Sequence, residues 1–195
     1  MTRMRAVAES ATGSNAAVVV MDTAPAAVLG ATLDPLVAAR ERAIIVNVGN
    51  FHTLAFRIGR MGIEGLFEHH TGLIDREKLE KLLHALAEGT LQREDVYTDM
   101  GHGALVYDSS PWMLNEGDFD AVVTGPRRSI FQHSTTYSSV RSVRPYFPAP
   151  YGDMMITGCF GLLRATADVL PELADPIYAS LFPEDKRGIA PWDLD

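Results

Sequence analysis

The chain has a single cysteine, Cys159, among 195 residues. An internal disulfide is therefore excluded, and so is an iron–sulfur cluster held by this chain alone, which needs several thiolates. Long apolar runs are also missing. No stretch approaches the roughly 20 residues of a membrane-spanning helix, so no membrane partner is expected. The opening MTRMRAVAES lacks the apolar core of a secretory signal, and a cytoplasmic setting is the expectation. Basic charge is in short supply: 17 Lys and Arg against 25 Asp and Glu, for a net charge of −8. A general nucleic-acid binder needs a basic face, so nucleic acid is not an expected partner, although a local basic pocket stays open. Internal repeats and low-complexity blocks are absent.

What is present is enough for one domain with a real core: 47% of the residues are hydrophobic. Residues 43–72 carry the clearest pattern, three short strands in a row. Ala43–Val48 is apolar but for Asn47, as expected of a strand covered on both faces. Thr53–Ile58 alternates, with Leu54, Phe56 and Ile58 on one face and Thr53, Ala55 and Arg57 on the other. Gly59 to Gly62 turns the chain, and Ile63–His70 runs back. Asn47-Val48-Gly49-Asn50 closes the first strand with a tight turn whose backbone N–H groups suit an anion, usually a phosphate.

Elsewhere, Ala16–Met21 reads as a short strand, and Asp22 to Pro25 as the start of a small-residue helix ending near Leu33. Asp34-Pro35 ends or redirects it. Asp75–Glu88 is an amphipathic helix with Leu79, Leu82, Leu83 and Leu86 as its stripe, stopped by Gly89. Gln92–Tyr97 suggests a further helical turn, and Gly101-His102-Gly103 a tight loop. Asp120–Thr124 is a short apolar strand, followed by Gly125-Pro126 and by Arg127-Arg128 at a helix start. Residues 132–150 read as irregular, with one strand near Val143–Phe147. Tyr151-Gly152-Asp153 opens a helix from Met154 to about Val169, on which Gly158 and Gly161 permit close approach of another backbone. Prolines 171, 176, 183 and 191 punctuate the tail. The expected division is an N-terminal segment 1–15, one domain 16–169 and a Pro-rich tail 170–195.

Four segments, in order, resemble the C-terminal half of the actin/Hsp70/sugar-kinase ATPase superfamily. MDTAPAAVLGATLD (21–34) is similar to its first connecting helix, and AIIVNVGNFHTLAF (43–56) to its second phosphate hairpin. AVVTGPRRSIF (121–131) resembles its adenosine loop, and PYGDMMITGCFGLLRA (150–165) its second connecting helix. More closely, NVGNFHTLAF, GLFEHHTG, GHGA, TGPRR and PYGDMMITGCFGLL resemble a prokaryotic domain-of-unknown-function family often labelled "putative pyruvate formate-lyase activating enzyme". Radical activation under that label conflicts with the lone Cys159, since such activases hold their cluster with three cysteines. The superfamily resemblance implies a ribonuclease-H-like α/β fold: three antiparallel strands (about 43–48, 53–58 and 63–69) extended by a parallel strand at 120–124, with room for one more. Helices pack on the sheet, and the bends after the first strand and near residue 125 are expected side by side at one rim. The resemblance also implies a nucleotide with Mg²⁺ as cofactor. Two positions depart from the pattern. Asn47 stands where an Asp would help place Mg²⁺. Pro126 replaces a glycine of the adenosine loop and removes an N–H. Nothing upstream of residue 16 resembles the first phosphate hairpin, so the expected partner, besides a small phosphorylated ligand, is a second chain supplying the missing half, or a further copy.

The candidate ligand-binding residues are Asn47, Gly49, Asn50, His52 and Thr53 at the first turn, and Thr124, Gly125, Arg127 and Arg128 at the second, where N–H groups and guanidinium can receive an anion. Asp153 is either an N-cap or a carboxylate facing the cleft. Glu68, His69, His70 and His102 offer metal donors, with His52 and His133 as further ones elsewhere in the chain. Neighbouring residues on a strand point to opposite faces, so Glu68 and His70 converge while His69 turns away. No His-x₃-His or Cys pair accompanies them, and the expectation is no metal, with hydrogen-bonded histidines shaping a loop. His70 and His102 are candidate general bases. Cys159 is expected in the core. The leading expectation is a nucleotide- or phosphate-binding domain, incomplete for catalysis alone. The alternatives are a metal-dependent enzyme using Glu68, His70 and His102, and a non-catalytic interaction domain.

Overall fold

A computed structural model describes residues 2–13, 16–114, 117–132 and 141–182. In chain order its helices are α1 (Thr2–Ser10), α2 (Thr23–Ala31), α3 (Pro35–Ala38), α4 (Arg76–Glu88), α5 (Arg93–Tyr97), α6 (Thr157–Val169) and α7 (Pro171–Leu181). Its strands are β1 (Ala43–Val48), β2 (His52–Gly59), β3 (Gly62–His70), β4 (Gly103–Val106), β5 (Ala121–Thr124) and β6 (Pro145–Tyr146). They form one six-stranded sheet in the order β4-β3-β2-β1-β5-β6. β1 to β4 are joined by antiparallel ladders, while β5 runs parallel to β1 and β6 parallel to β5. Among the described residues no helix is long and apolar enough to cross a membrane.

β1 sits at the centre because both its faces are apolar. Ile44, Val46 and Val48 pack on one side with Ala55, Phe67 and the α4 stripe Leu79, Leu83 and Leu86. Ile45 packs on the other with Phe56, Val122, and Val28 and Ala31 of α2. The result is a mixed α/β fold with helices on both faces. α4 forms where its sequence directs: Asp75 accepts a hydrogen bond from Lys78 N (2.8 Å), and Gly89 ends the helix in the left-handed region at φ 72°. The Arg57 side of β2 is less simple. Arg57 is fully buried, and its guanidinium donates to the carbonyls of Leu86 (3.3 Å), Ala87 (3.0 Å) and Ser110 (2.6 Å). Its carboxylate partner, Glu64 (2.9 Å), is the extra residue of a bulge where the β2–β3 register shifts. Arg57 thereby neutralises the carbonyl end of α4.

α2 and α6 cross at very short range. A Cβ on Gly30 would lie 1.8 Å from Thr157 O, and one on Gly161 would lie 1.9 Å from Ala26 O. Glycine is required at both positions for the backbones to meet. Asp34, buried at the start of α3, ties this layer to the far edge of the sheet. It accepts from Leu36 N, Ala149 N and the Tyr146 hydroxyl, all at 2.9–3.0 Å.

Several sequence expectations are corrected. Residues 16–22 form no strand, and both edges of β1 are taken by β2 and β5. The N-terminal segment carries a helix, α1, with no buried residue and an Arg5–Glu9 pair one turn apart (2.9 Å). β4 arises where only a loop was expected. α6 starts at Thr157 and not at Met154, because Tyr151 is left-handed (φ 55°) and Asp153 extended. Arg128–Phe131 is one turn of 3₁₀ helix, too short to carry a helix dipole. Cys159 is exposed. Thr157 and Gly161 fix the inner face of α6, and Cys159, two residues from each, falls on the opposite side. The first part of the tail is the helix α7, with Pro171 in its first turn and Pro176 inside it. Pro183 and Pro191 lie outside the described residues, as does His133.

Candidate functional site

The carboxyl ends of the parallel strands β1 and β5 lie side by side, with Asn47 and Thr124 as register partners. The Thr124 hydroxyl donates to Asn47 Oδ1 (3.2 Å). Beyond β5 the chain turns at Gly125 (φ 96°), where a Cβ would meet the Val48 backbone at 2.4 Å. Arg127 N then donates to Val48 O (3.0 Å). The two bends singled out in the sequence are thus in contact at one rim of the sheet. Ligands of open α/β sheets gather outside the carboxyl ends of parallel strands, where such bends leave a crevice.

A cleft of about 1130 Å³ opens there. Its walls are the β1–β2 turn, the 124–128 bend, the first turn of α2 and the residues leading into α6. Asn47, Gly49, Asn50, His52, Thr124, Gly125 and Arg128 all line it. Thr53, Arg127 and Asp153 are not among the lining residues. Thr53 is one residue past His52 and therefore on the other face of β2, buried against Thr71 (Oγ1 to Oγ1, 3.0 Å). The Arg127 side chain is exposed outside the rim. Asp153 accepts from Met155 N (2.7 Å), which makes it the cap of a local turn. Arg128 brings cationic charge to the cleft, with its Nη1 donating to Gly125 O (2.9 Å). Asp22 and Glu68 bring acid. Not every N–H in the two bends is available: Gly49 N donates to His52 O (3.0 Å) and closes the hairpin.

A second constellation borders the first. His52 and His70 are directly opposed across β2 and β3. His102 joins them from the loop before β4, held by its backbone N on Glu68 O (2.9 Å). The three ring centroids are 4.7–5.1 Å apart. One ring nitrogen from each lies within 4.8 Å of the others, and Glu68 Oε1 is 3.7 Å from His52 Nδ1. His69 points to the other face, as the alternation predicts, and its Nε2 faces Asp99 (3.2 Å), which also holds Lys78. Lys78 and His69 hold the Asp99 carboxyl below its usual range. Desolvation pushes the His70 imidazole below its ordinary value, and the neighbouring His102 and His52 push it further, against the pull of Glu68. Sequence reasoning brought Glu68, His70 and His102 together but placed His52 at the turn and, as a donor, elsewhere. The β2–β3 hairpin register, which pairs 52 with 70, was the signal that could have added it.

Fold and site together define a mixed α/β protein with a ligand-sized cleft at the carboxyl ends of its parallel strands. Residues 1–130 match the family described as "Putative pyruvate format-lyase activating enzyme (DUF1786)", and the chain belongs to that family. No curated protein and no solved structure matches it. The iron–sulfur cluster that the family's description implies does not fit these residues. Cys159 is the chain's one thiol, and it stands exposed on α6 and does not line the cleft.

Proposed function

We propose that the cleft takes a phosphorylated ligand of nucleotide size, and that the chain is a ribonuclease-H-like domain of the kind found in the C-terminal half of actin-like ATPases. The observation that carries this is the contact between the β1–β2 turn and the 124–128 bend at the Asn47–Thr124 pair. Phosphate lies over Gly49, Asn50 and Gly125, with Arg128 supplying the counter-charge. The fold reading is supported by three antiparallel strands, β1 to β3, extended on the β1 side by the parallel strands β5 and β6. It is also supported by the glycine-mediated crossing of α2 and α6, the two segments that resemble the connecting helices.

Turnover by this chain alone is not part of the proposal. Asn47, whose oxygen accepts from Thr124, offers Mg²⁺ no charge where an acid would. In the superfamily the cleft lies between two halves. Here a second chain, or a second copy, covers the open side, which the exposed Phe51 and Met155 border. A thermal-shift panel of nucleotides and phosphorylated metabolites, with and without Mg²⁺, tests the reading. At least one ligand raises the melting temperature; Arg128→Ala removes the rise and Arg127→Ala, outside the cleft, retains it. No rise with any ligand, or a rise indifferent to Arg128→Ala, overturns it.

A further inference from the structure

Histidines that shape loops do so through hydrogen bonds. His69 and His84 have such partners, Asp99 and the carbonyl of Arg141 (2.8 Å). Among the described residues, the rings of His70 and His102 have no hydrogen bond, and His52 has only Glu68 at 3.7 Å. Their backbones are nonetheless fixed close together, by the β2–β3 ladder and by the His102 N to Glu68 O bond. Three imidazoles with unengaged nitrogens therefore face one point. They form the one group of three or more such donors found among the described residues.

We infer that His52, His70 and His102 hold one first-row transition-metal ion of the Zn²⁺ type, with its fourth position beside Glu68 and turned toward the cleft. The donor set selects the class: imidazole suits zinc and its neighbours, whereas Mg²⁺ and Ca²⁺ want oxygen. The spacing is within reach. Tetrahedral Zn–N bonds of about 2.0–2.1 Å put the nitrogens roughly 3.3 Å apart. The present limit of 4.8 Å closes by ring rotation, since His102 is exposed and the other two half-exposed. Three protein ligands with an open fourth position is also how zinc is held where it polarises a bound group. His52 and Glu68 belong to the cleft lining as well, so a ligand there meets the metal directly. The inference is independent of the phosphate reading, because metal binding is measured without any phosphorylated ligand.

Tag-free full-length chain is stripped with a chelator, titrated with Zn²⁺ by calorimetry, and analysed for metal after gel filtration. One Zn²⁺ per chain is expected. His70→Ala and His102→Ala each weaken binding by about 100-fold or more, the upper end of what outer-shell changes alone produce. His84→Ala leaves binding unchanged. His102 is exposed, so its variant keeps the fold and the melting temperature of the metal-free chain even if His70→Ala does not. Co²⁺ in the site gives visible absorption that His102→Ala abolishes. Zn²⁺ retained below stoichiometry by folded protein, or bound equally well by His102→Ala, overturns the inference.

Discussion

Tyr146 donates its hydroxyl to Asp34, and desolvation together with that carboxylate pushes its phenol up to about 12 from an ordinary 10. The neutral phenol is the form that folding favours. Its contribution is complete below pH 10 and is lost as pH climbs from 10 toward about 12. Urea denaturation at stepped pH should show stability falling across that window, and Tyr146→Phe should flatten this part of the profile. Neither partner was prominent in the sequence. Asp34-Pro35 was read as ending or redirecting the helix, and Asp34 caps α3 there, three residues after α2 ends; its bond to a residue more than 100 positions away follows only from sheet order. Arg57 is a similar case. Its face on β2 was legible from the alternation, yet its burial depends on Glu64, which a bulge aims at it. A period of two predicts the side of a strand and says nothing of a register shift. His52 was legible as a site residue but not as a partner of His70, for the same reason.

Elements with their own caps and periodicity were the ones the sequence specified. α4 has both, and its boundaries follow from Asp75 and Gly89. A close backbone approach on α6 was legible from Gly158 and Gly161 three apart, but neither its partner α2 nor the indispensable glycine was. The geometry distinguishes the two glycines. Gly161→Ala places a methyl 1.9 Å from the Ala26 carbonyl oxygen, and backbone cannot yield as a side chain does. Its cost should be about 1–3 kcal/mol, read from chemical denaturation. At Gly158 the nearest atom to an added Cβ is Ala27 N at 3.7 Å. Gly158→Ala should therefore be neutral, or stabilise by up to about 1 kcal/mol through helix propensity. Equal penalties at the two positions would contradict this account of the crossing. The start of α6 and the strand β4 escaped the sequence for local reasons. Tyr151 takes a left-handed conformation that its side chain does not announce, and Gly103–Val106 is too short to show alternation.

At the scale of the whole molecule, the sheet brings together residues that the chain keeps far apart. Asn47 and Thr124 are neighbours only because β5 inserts parallel to β1, across the edge that the β1–β2–β3 meander leaves free. That insertion was anticipated from the apolar strand at 120–124, and with it the shared rim. The cover of the cleft was not fully anticipated, because α1, whose Arg3 and Met4 line one side, carries no apolar stripe. The backbone amides of Gly49, Asn50 and Gly125 give the most direct test of the proposed ligand site. In a ¹⁵N–¹H titration with a nucleoside triphosphate and Mg²⁺, the proposal predicts saturable shifts at these three amides and in the side chain of Arg128, with little change around Arg60 and Tyr107 at the far end of the sheet. Saturable shifts confined to other surfaces, with those three amides unmoved, would contradict it.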